Sequence, residues 1–473
     1  MSDDERQATN EYEREPVPQH ALLGFKSFIG MYAGEHCAGT ELMIGPLFVA
    51  SGVSAVDVVF GLLLGNALAV LSWVVLTAPI AIRSRLTLYY QLEKICGRHL
   101  VTLYNLANGV MFCFLAGAMI TVSATALGVW FKFPMPGLTD IYPNSAGWVV
   151  AVVCLGAAIS VVAAYGYETV SRIANIAAPW MVLVFFAFGL VGLQQFIAVS
   201  GSEMSSLGSL WELAETRIWK GGDPLEGNVK FTFWHVMFFA WFCNMAMHVG
   251  MSDLSVFRFA KHSWYGVASA AGMYVGHFMA WLSASVLYAM QLHGDPTNTG
   301  VLPGPLAYKA CGVTGLICVI IAGWTTANPT IYRAGLAFQA VVPNKSRFAV
   351  TLFTGAIATV AGVFPAIAMK LLGFVALYGL LLMPMGAVVF ADFWLLRRFG
   401  LQPYYAEHSK SSFNWAAGLT WFVTLGVCLG LVNSGIEING FQPFQIWFVA
   451  LPGWFIATAL YIGLSRFYQQ QSG

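Results

Sequence analysis

The sequence predicts an all-α polytopic membrane protein of twelve transmembrane helices. Ten form two inverted five-helix halves, and two are added at the C-terminal end. Three observations lead there. Of 473 residues, 58% are hydrophobic and only 10% are charged, against about 25% charged in soluble domains. Apolar stretches long enough to cross a bilayer recur from one end of the chain to the other. Polar residues interrupt the first and the sixth of these stretches, five helices apart. That is the pattern of inverted repeats that each open with a discontinuous helix.

Apolar windows place the spans at about 24–50, 56–82, 99–130, 146–166, 174–199, 231–257, 264–291, 311–340, 347–367, 370–396, 414–434 and 442–465. The chain then divides into a tail (1–21), a first half (22–200), a loop (201–230), a second half (231–398) and a C-terminal region (399–473) with spans eleven and twelve. An even count puts both termini on one side. Of the 23 Lys and Arg residues, seventeen fall there, Arg6, Arg258 and Arg333 among them, and six on the other side (Lys132, Arg217, Lys220, Lys230, Lys309, Lys370). This positive-inside bias makes the termini cytoplasmic, with a bacterial-type inner membrane as the expected setting. In the long outer loop, Leu210-Trp211-Glu212-Leu213 is expected to form a short interfacial helix. The segment His293 to Lys309, rich in Gly and Pro, is expected to contribute to an external gate.

Composition also excludes. A net charge of +1 speaks against a nucleic-acid partner. The eight cysteines show no CxxC pairing and read as small buried hydrophobes. The stretch Met1 to Glu15 is polar and acidic, so no cleavable signal peptide is expected. No phosphate loop and no nucleophile elbow is present, so the chain is read as a carrier and not an enzyme.

The first span carries Gly34-Glu35-His36-Cys37-Ala38-Gly39-Thr40-Glu41 at mid-membrane depth. Two carboxylates and an imidazole there are expensive unless they face protein or a wet cavity, and glycines allow the helix to open. Glu35, His36 and Glu41 are therefore candidates for neutralising a substrate, carrying a coupling proton or bracing the broken helix. Glu35 and Glu41 are six residues apart, so an unbroken helix would place them on different faces. Adjacent Glu35, His36 and Cys37 diverge on a helix, and no paired His/Cys spacing accompanies them, so no transition-metal site is expected. The sixth span holds Cys243, Asn244 and His248; the last two lie four residues apart and share a helix face. Asp253 is expected to fix the end of that span to Arg258.

In the eighth span, Ala322-Gly323-Trp324-Thr325-Thr326 supplies two hydroxyls and a carbonyl one turn earlier. A lone membrane threonine usually bonds back to its own helix. Two adjacent hydroxyls with that carbonyl could, together with carbonyls of an unwound first helix, complete a five-oxygen shell for a small cation such as Na+, and both readings stand on the residues alone.

The residues also resemble a family. Gly323-Trp324-Thr325-Thr326-Ala327-Asn328 with Tyr332-Arg333-Ala334-Gly335-Leu336 is similar to the eighth-helix signature of cytosine permease and its relatives. Tyr378-Gly379-Leu380-Leu381-Leu382-Met383-Pro384-Met385-Gly386, ending in Ala391-Asp392-Phe393-Trp394, resembles their tenth-helix motif. Gly52-Val53-Ser54-Ala55-Val56-Asp57, Tyr165-Gly166-Tyr167-Glu168 and Ser252-Asp253 match further stretches, so that the likeness runs over spans one to ten. By this resemblance the chain is identified as a member of the nucleobase–cation symporter-1 family. The resemblance implies the LeuT-type fold, alternating access, and a sodium site of the Ala322 carbonyl, the Thr325 and Thr326 hydroxyls and carbonyls near Ala38 and Gly39. It implies a nucleobase, hydantoin or related heterocycle held between helices three and six, where Phe112, Cys243 and Asn244 stand. The chain departs from the family's pattern there: span three offers phenylalanines without tryptophan or glutamine, and span one is unusually charged. A proton-coupled or uniport carrier of a small cationic nitrogen compound (a guanidino compound or quaternary amine), using Glu35 and Glu41, therefore stands beside the cation-coupled carrier of a neutral heterocycle.

Overall fold

The structure, a computed structural model, describes residues 11–438 and 442–471. Residues 1–10 of the expected tail, Arg6 included, lie outside the described residues, as do 439–441 and 472–473. Among the described residues, nine helices are long and apolar enough to cross a membrane. They are Ala55–Ser84, Arg98–Phe131, Ala146–Ala164, Tyr167–Ser200, Ser263–Gly294, Pro303–Val341, Val375–Phe399, Trp415–Val432 and Ile446–Gln470, in predicted spans two to five, seven, eight and ten to twelve. Three shorter apolar helices, Glu41–Ala50, Phe233–Phe242 and Arg347–Gly362, fall in spans one, six and nine. No strand forms among the described residues, only isolated bridges such as Leu23 to Ala260.

Both expected interruptions are present. Span one runs as Phe25–His36, leaves the helix at Cys37 (φ −89°, ψ 54°) and resumes as Glu41–Ala50. The resumed turn is seeded by amides of Glu41 and Leu42 donating to the carbonyls of Ala38 and Gly39, at 3.0 and 3.3 Å. Span six is cut twice, into Phe233–Phe242, Met245–His248 and Leu254–Phe257. Asn244 (φ −108°, ψ 26°) makes the first cut, and Met251 at φ 62° lies in the second. The expected start of span eight at 311 is instead a kink at Cys311 and Gly312 inside Pro303–Val341. Its first segment reaches back over span three, where the amide of Gly304 donates to Thr125 Oγ1 at 2.9 Å.

Spans three and eight pack along each other as a long pair, and spans five and seven flank the two halves of span one. Small residues set the closest approach. A Cβ on Gly276 of span seven would lie 2.6 Å from the His36 carbonyl oxygen, and one on Gly272 would lie 2.6 Å from His36 Nδ1. Glycine at these positions lets span seven press against the broken helix. The same stretch, Ala271–Phe278, is wound as a π-helix, a form that often marks functional sites because it turns side chains out of α-helical register.

The loop after span five holds the helix Leu207–Leu213 around the expected interfacial segment. The loop then folds back on the ends of spans one and two, where amides of Gly221, Leu225 and Phe231 donate to the carbonyls of Val53, Ala50 and Ser51. At the opposite end the N-terminal strap is tied in. Glu11 Oε2 accepts from Tyr332 Oη at 2.8 Å and from Arg258 Nη2 at 3.3 Å, and Glu11 Oε1 accepts from the Tyr167 amide at 2.8 Å. Arg258 thus pairs with Glu11 and not with Asp253 as expected, because the end of span six faces the strap. Arg333, expected in an inner flanking segment, is fully buried inside the eighth helix.

Candidate substrate cavity

The broken first span borders a central cavity of about 760 Å³ of empty space. Its wall takes Glu35, His36, Thr40 and Glu41 from span one, Leu115 and Met119 from span three, and Phe239, Cys243 and Asn244 from span six. His277 and Trp281 come from span seven, Thr326 and Thr330 from span eight, Tyr378 from span ten, and Trp447 from span twelve. Of the expected substrate residues, Glu35, His36, Glu41, Cys243 and Asn244 are therefore gathered at one cavity. Phe112 and His248 are not in its wall. Phe112 packs edge-on to Tyr378 at 4.9 Å. His248 turns its Nε2 to the Trp241 carbonyl at 3.0 Å and lies tilted against Trp73, ring centroids 4.5 Å apart.

The two carboxylates have different surroundings. Glu35 is held in a fork by Arg333, with Nη1 to Oε1 at 2.6 Å and Nη2 to Oε2 at 3.2 Å. Arg333 Nη2 also donates to Asp253 Oδ1 at 2.7 Å, while Asp253 Oδ2 accepts from Tyr32 Oη at 2.5 Å and Trp73 Nε1 at 2.7 Å. Forked guanidinium pairs are strong and directional, so Glu35 acts as a brace between spans one, six and eight. Glu41 has no Lys or Arg partner among the described residues. Its Oε2 accepts from the Trp281 indole, and its Oε1 lies 3.6 Å from His277 Nε2. His277 stacks on Trp281, centroids 4.3 Å apart, and its Nδ1 lies 3.8 Å from Cys243 Sγ. Glu41 and Cys243 thus meet opposite nitrogens of one ring and do not converge on a common centre. No group of three metal-ligating side chains forms among the described residues.

Neither His277 nor Trp281 stands out on composition. The available signal was a histidine inside an apolar stretch with a tryptophan four residues later, which places both on one helix face.

Beside the cavity, spans one and eight meet through oxygens. Thr325 Oγ1 lies 2.8 Å from the Gly34 carbonyl, 3.1 Å from that of Ile321 and 3.2 Å from that of Ala322. Thr326 Oγ1 lies 2.9 Å from the carbonyls of both Glu35 and Ala322. Each hydroxyl has one proton to offer, so three of these five close contacts have no hydrogen between the oxygens. The span-one carbonyls reached are those of Gly34 and Glu35. Those of Ala38 and Gly39, expected as ligands, lie one turn further on and each accept one amide at the start of the second half-helix. The expected span-eight group, Ala322, Thr325 and Thr326, is assembled as a unit.

No protein-family model matches the chain, and no curated protein matches it. Solved structures do. Mhp1, a nucleobase-cation-symport-1 family transporter in a closed conformation with bromovinylhydantoin bound, aligns over 97% of this chain and 96% of its own at 15% identity, with a TM-score of 0.72. The fold is of the LeuT type. The inward-facing conformation of Mhp1 aligns at 16% identity over 98% and 93% of the two chains, with a TM-score of 0.61. A Na+-coupled sialic acid symporter in a substrate-bound, outward-open state aligns at 13% identity over 98% and 93%, with a TM-score of 0.65.

Proposed function

We propose that this chain is a secondary active transporter of the nucleobase–cation symporter-1 kind. It sits in an inner membrane with both termini cytoplasmic and couples Na+ entry to uptake of a small nitrogen-rich organic molecule. The observation that carries the reading is the crowding of five oxygens between spans one and eight: the Gly34, Glu35 and Ala322 carbonyls and the Thr325 and Thr326 hydroxyls. Acceptor oxygens packed this closely without protons repel one another, and a hard cation among them removes that repulsion. Each hydroxyl also has a carbonyl of its own helix within reach, Ile321 for Thr325 and Ala322 for Thr326, which takes its proton and leaves the lone pairs to the ion.

The mechanism follows from which pieces the ion would join. Occupancy ties the first half of span one to span eight. It thereby sets the unwound 37–40 stretch, and with it Glu41, in the cavity. A planar heterocycle then finds aromatic faces in Trp281, Phe239 and Trp447 and hydrogen-bonding groups in Glu41, Asn244 and His277. Ion and substrate tighten each other's binding by the same factor. The likeness to hydantoin-bound Mhp1 supports the nucleobase or hydantoin class.

A second reading rests on Glu41. A carboxylate in an apolar wall, with an indole and an imidazole as neighbours, calls for a positive partner. A small organic cation, or a proton taken up with the substrate, supplies one. The test is thermal stabilisation of the purified protein by nucleobases, hydantoins, guanidino compounds and quaternary amines, each with and without Na+. The proposal expects one of the heterocycles to stabilise more when Na+ is present. Stabilisation by a cation alone, unaffected by Na+ and lost in Glu41→Gln, establishes the second reading instead.

A further inference from the structure

A second cavity, with about 1040 Å³ of empty space, opens at the end of the bundle away from the termini, between Leu47, Ser51, Asn228, Phe231 and Ile436. Among the described residues, two line both this vestibule and the central cavity: Ala376 and Trp447. Of the two, Trp447 presents the large side chain, and its indole borders both spaces. Its place is set from two sides. Trp447 Nε1 donates to Gln445 Oε1 at 2.9 Å, at the start of its own helix. The ring meets Phe239 edge-on at 5.4 Å and 80°, and Phe231 at 6.5 Å and 78°. The next residue, Phe448, packs against His235 and Phe238. The beginning of span twelve is therefore docked on Phe233–Phe242, the segment of span six that leads down to Cys243 and Asn244.

We infer that Trp447 is the partition between the vestibule and the substrate cavity, and that it forms part of the wall a bound substrate touches. Span twelve lies outside the ten-helix core, yet it supplies this side chain. Edge-on aromatic contacts are individually weak, and one hydrogen bond to Gln445 holds the indole's polar end, so the ring can swing away without unfolding a helix. The inference rests on the transport reading for calling the vestibule side external and for placing a substrate in the central cavity; the partition itself does not.

Cys243 tests it without any knowledge of substrate or ion, because it lines the central cavity on the far side of Trp447. The two other cysteines that are not buried, Cys154 and Cys311, are replaced by alanine. A charged, membrane-impermeant methanethiosulfonate is then applied from outside to intact cells, with Cys243→Ser as the blank. Labelling of Cys243 should be slow with Trp447 present and at least tenfold faster in Trp447→Ala, with Trp447→Phe within about threefold of the parent. Trp447→Leu, which keeps more of the packing, should be intermediate and carries the test if the alanine variant does not fold. Equal rates in the parent and in a folded alanine or leucine variant overturn the inference. So does acceleration seen only in inside-out vesicles. Faster labelling in a protein that shows no Na+-dependent uptake would sink the transport proposal and leave the partition standing.

Discussion

Removing the guanidinium of Arg333 should be the most damaging single change in the membrane interior that leaves the cavity wall intact. Arg333→Met keeps most of the apolar stem and deletes the charge. Glu35 then loses both of its charge-assisted bonds, at 2.6 and 3.2 Å, while Asp253 loses the one at 2.7 Å and keeps Tyr32 and Trp73. Breaking a buried ion pair by removing one partner costs about 3–5 kcal/mol, because the orphaned charge stays behind. With two carboxylates orphaned, the upper end of that range is expected. The assay is reversible unfolding in mixed micelles by SDS titration, followed through the 16 tryptophans. Glu35→Gln in the Arg333→Met background should restore about 1–3 kcal/mol, whereas in the parent it should destabilise. That change of sign is a coupling energy, the signature of direct contact. Arg333→Lys should fall between, since an ammonium cannot fork onto Glu35 and reach Asp253 together. If Arg333→Met unfolds within about 0.5 kcal/mol of the parent, or if Glu35→Gln costs the same in both backgrounds, the brace is not what holds spans one, six and eight together.

Thr325→Ala with Thr326→Ala should abolish the Na+ dependence of uptake and of substrate binding; each lost hydroxyl bond costs about 0.5–1.5 kcal/mol, so the protein should still fold. Full retention of Na+ stimulation refutes the ion site. Trp281→Phe removes the indole donor to Glu41 and should cost about 1–3 kcal/mol of stability, as for a buried acceptor left unpaired, with weaker heterocycle binding by isothermal titration; unchanged stability and affinity show that this bond does not position Glu41. Gly276→Ala places a methyl 2.6 Å from the His36 carbonyl oxygen, which should cost about 1–3 kcal/mol of stability and impair uptake; a silent substitution shows that span seven does not need that approach. Glu11→Ala unties Tyr332, Arg258 and the Tyr167 amide from the strap. Thiol reagents applied from the terminal side should then reach the cavity faster, and unchanged rates dismiss the strap as a closure.

What the amino-acid order alone determined was the membrane character, the rough limits of the long apolar segments, and the two places where helix gives way. These properties are local. Span length follows from bilayer thickness, and glycine with polar residues at mid-depth makes an open backbone tolerable only beside protein or water. That the Ala322 carbonyl and the Thr325 and Thr326 hydroxyls would lie together was legible too, since oxygens three and four residues apart share a helix face. Partnership was decided by the tertiary structure. Glu35 and Glu41 read alike in sequence, yet one faces Arg333, 298 residues away, and the other faces span seven. Which carbonyls of span one meet the threonine hydroxyls, those of Gly34 and Glu35, depended on how far span one slides along span eight. His277, Trp281 and Trp447 enter the wall because Gly272 and Gly276 let one helix close in and because span twelve docks on span six. Helical periodicity tells which residues share a face; only packing tells what that face looks at.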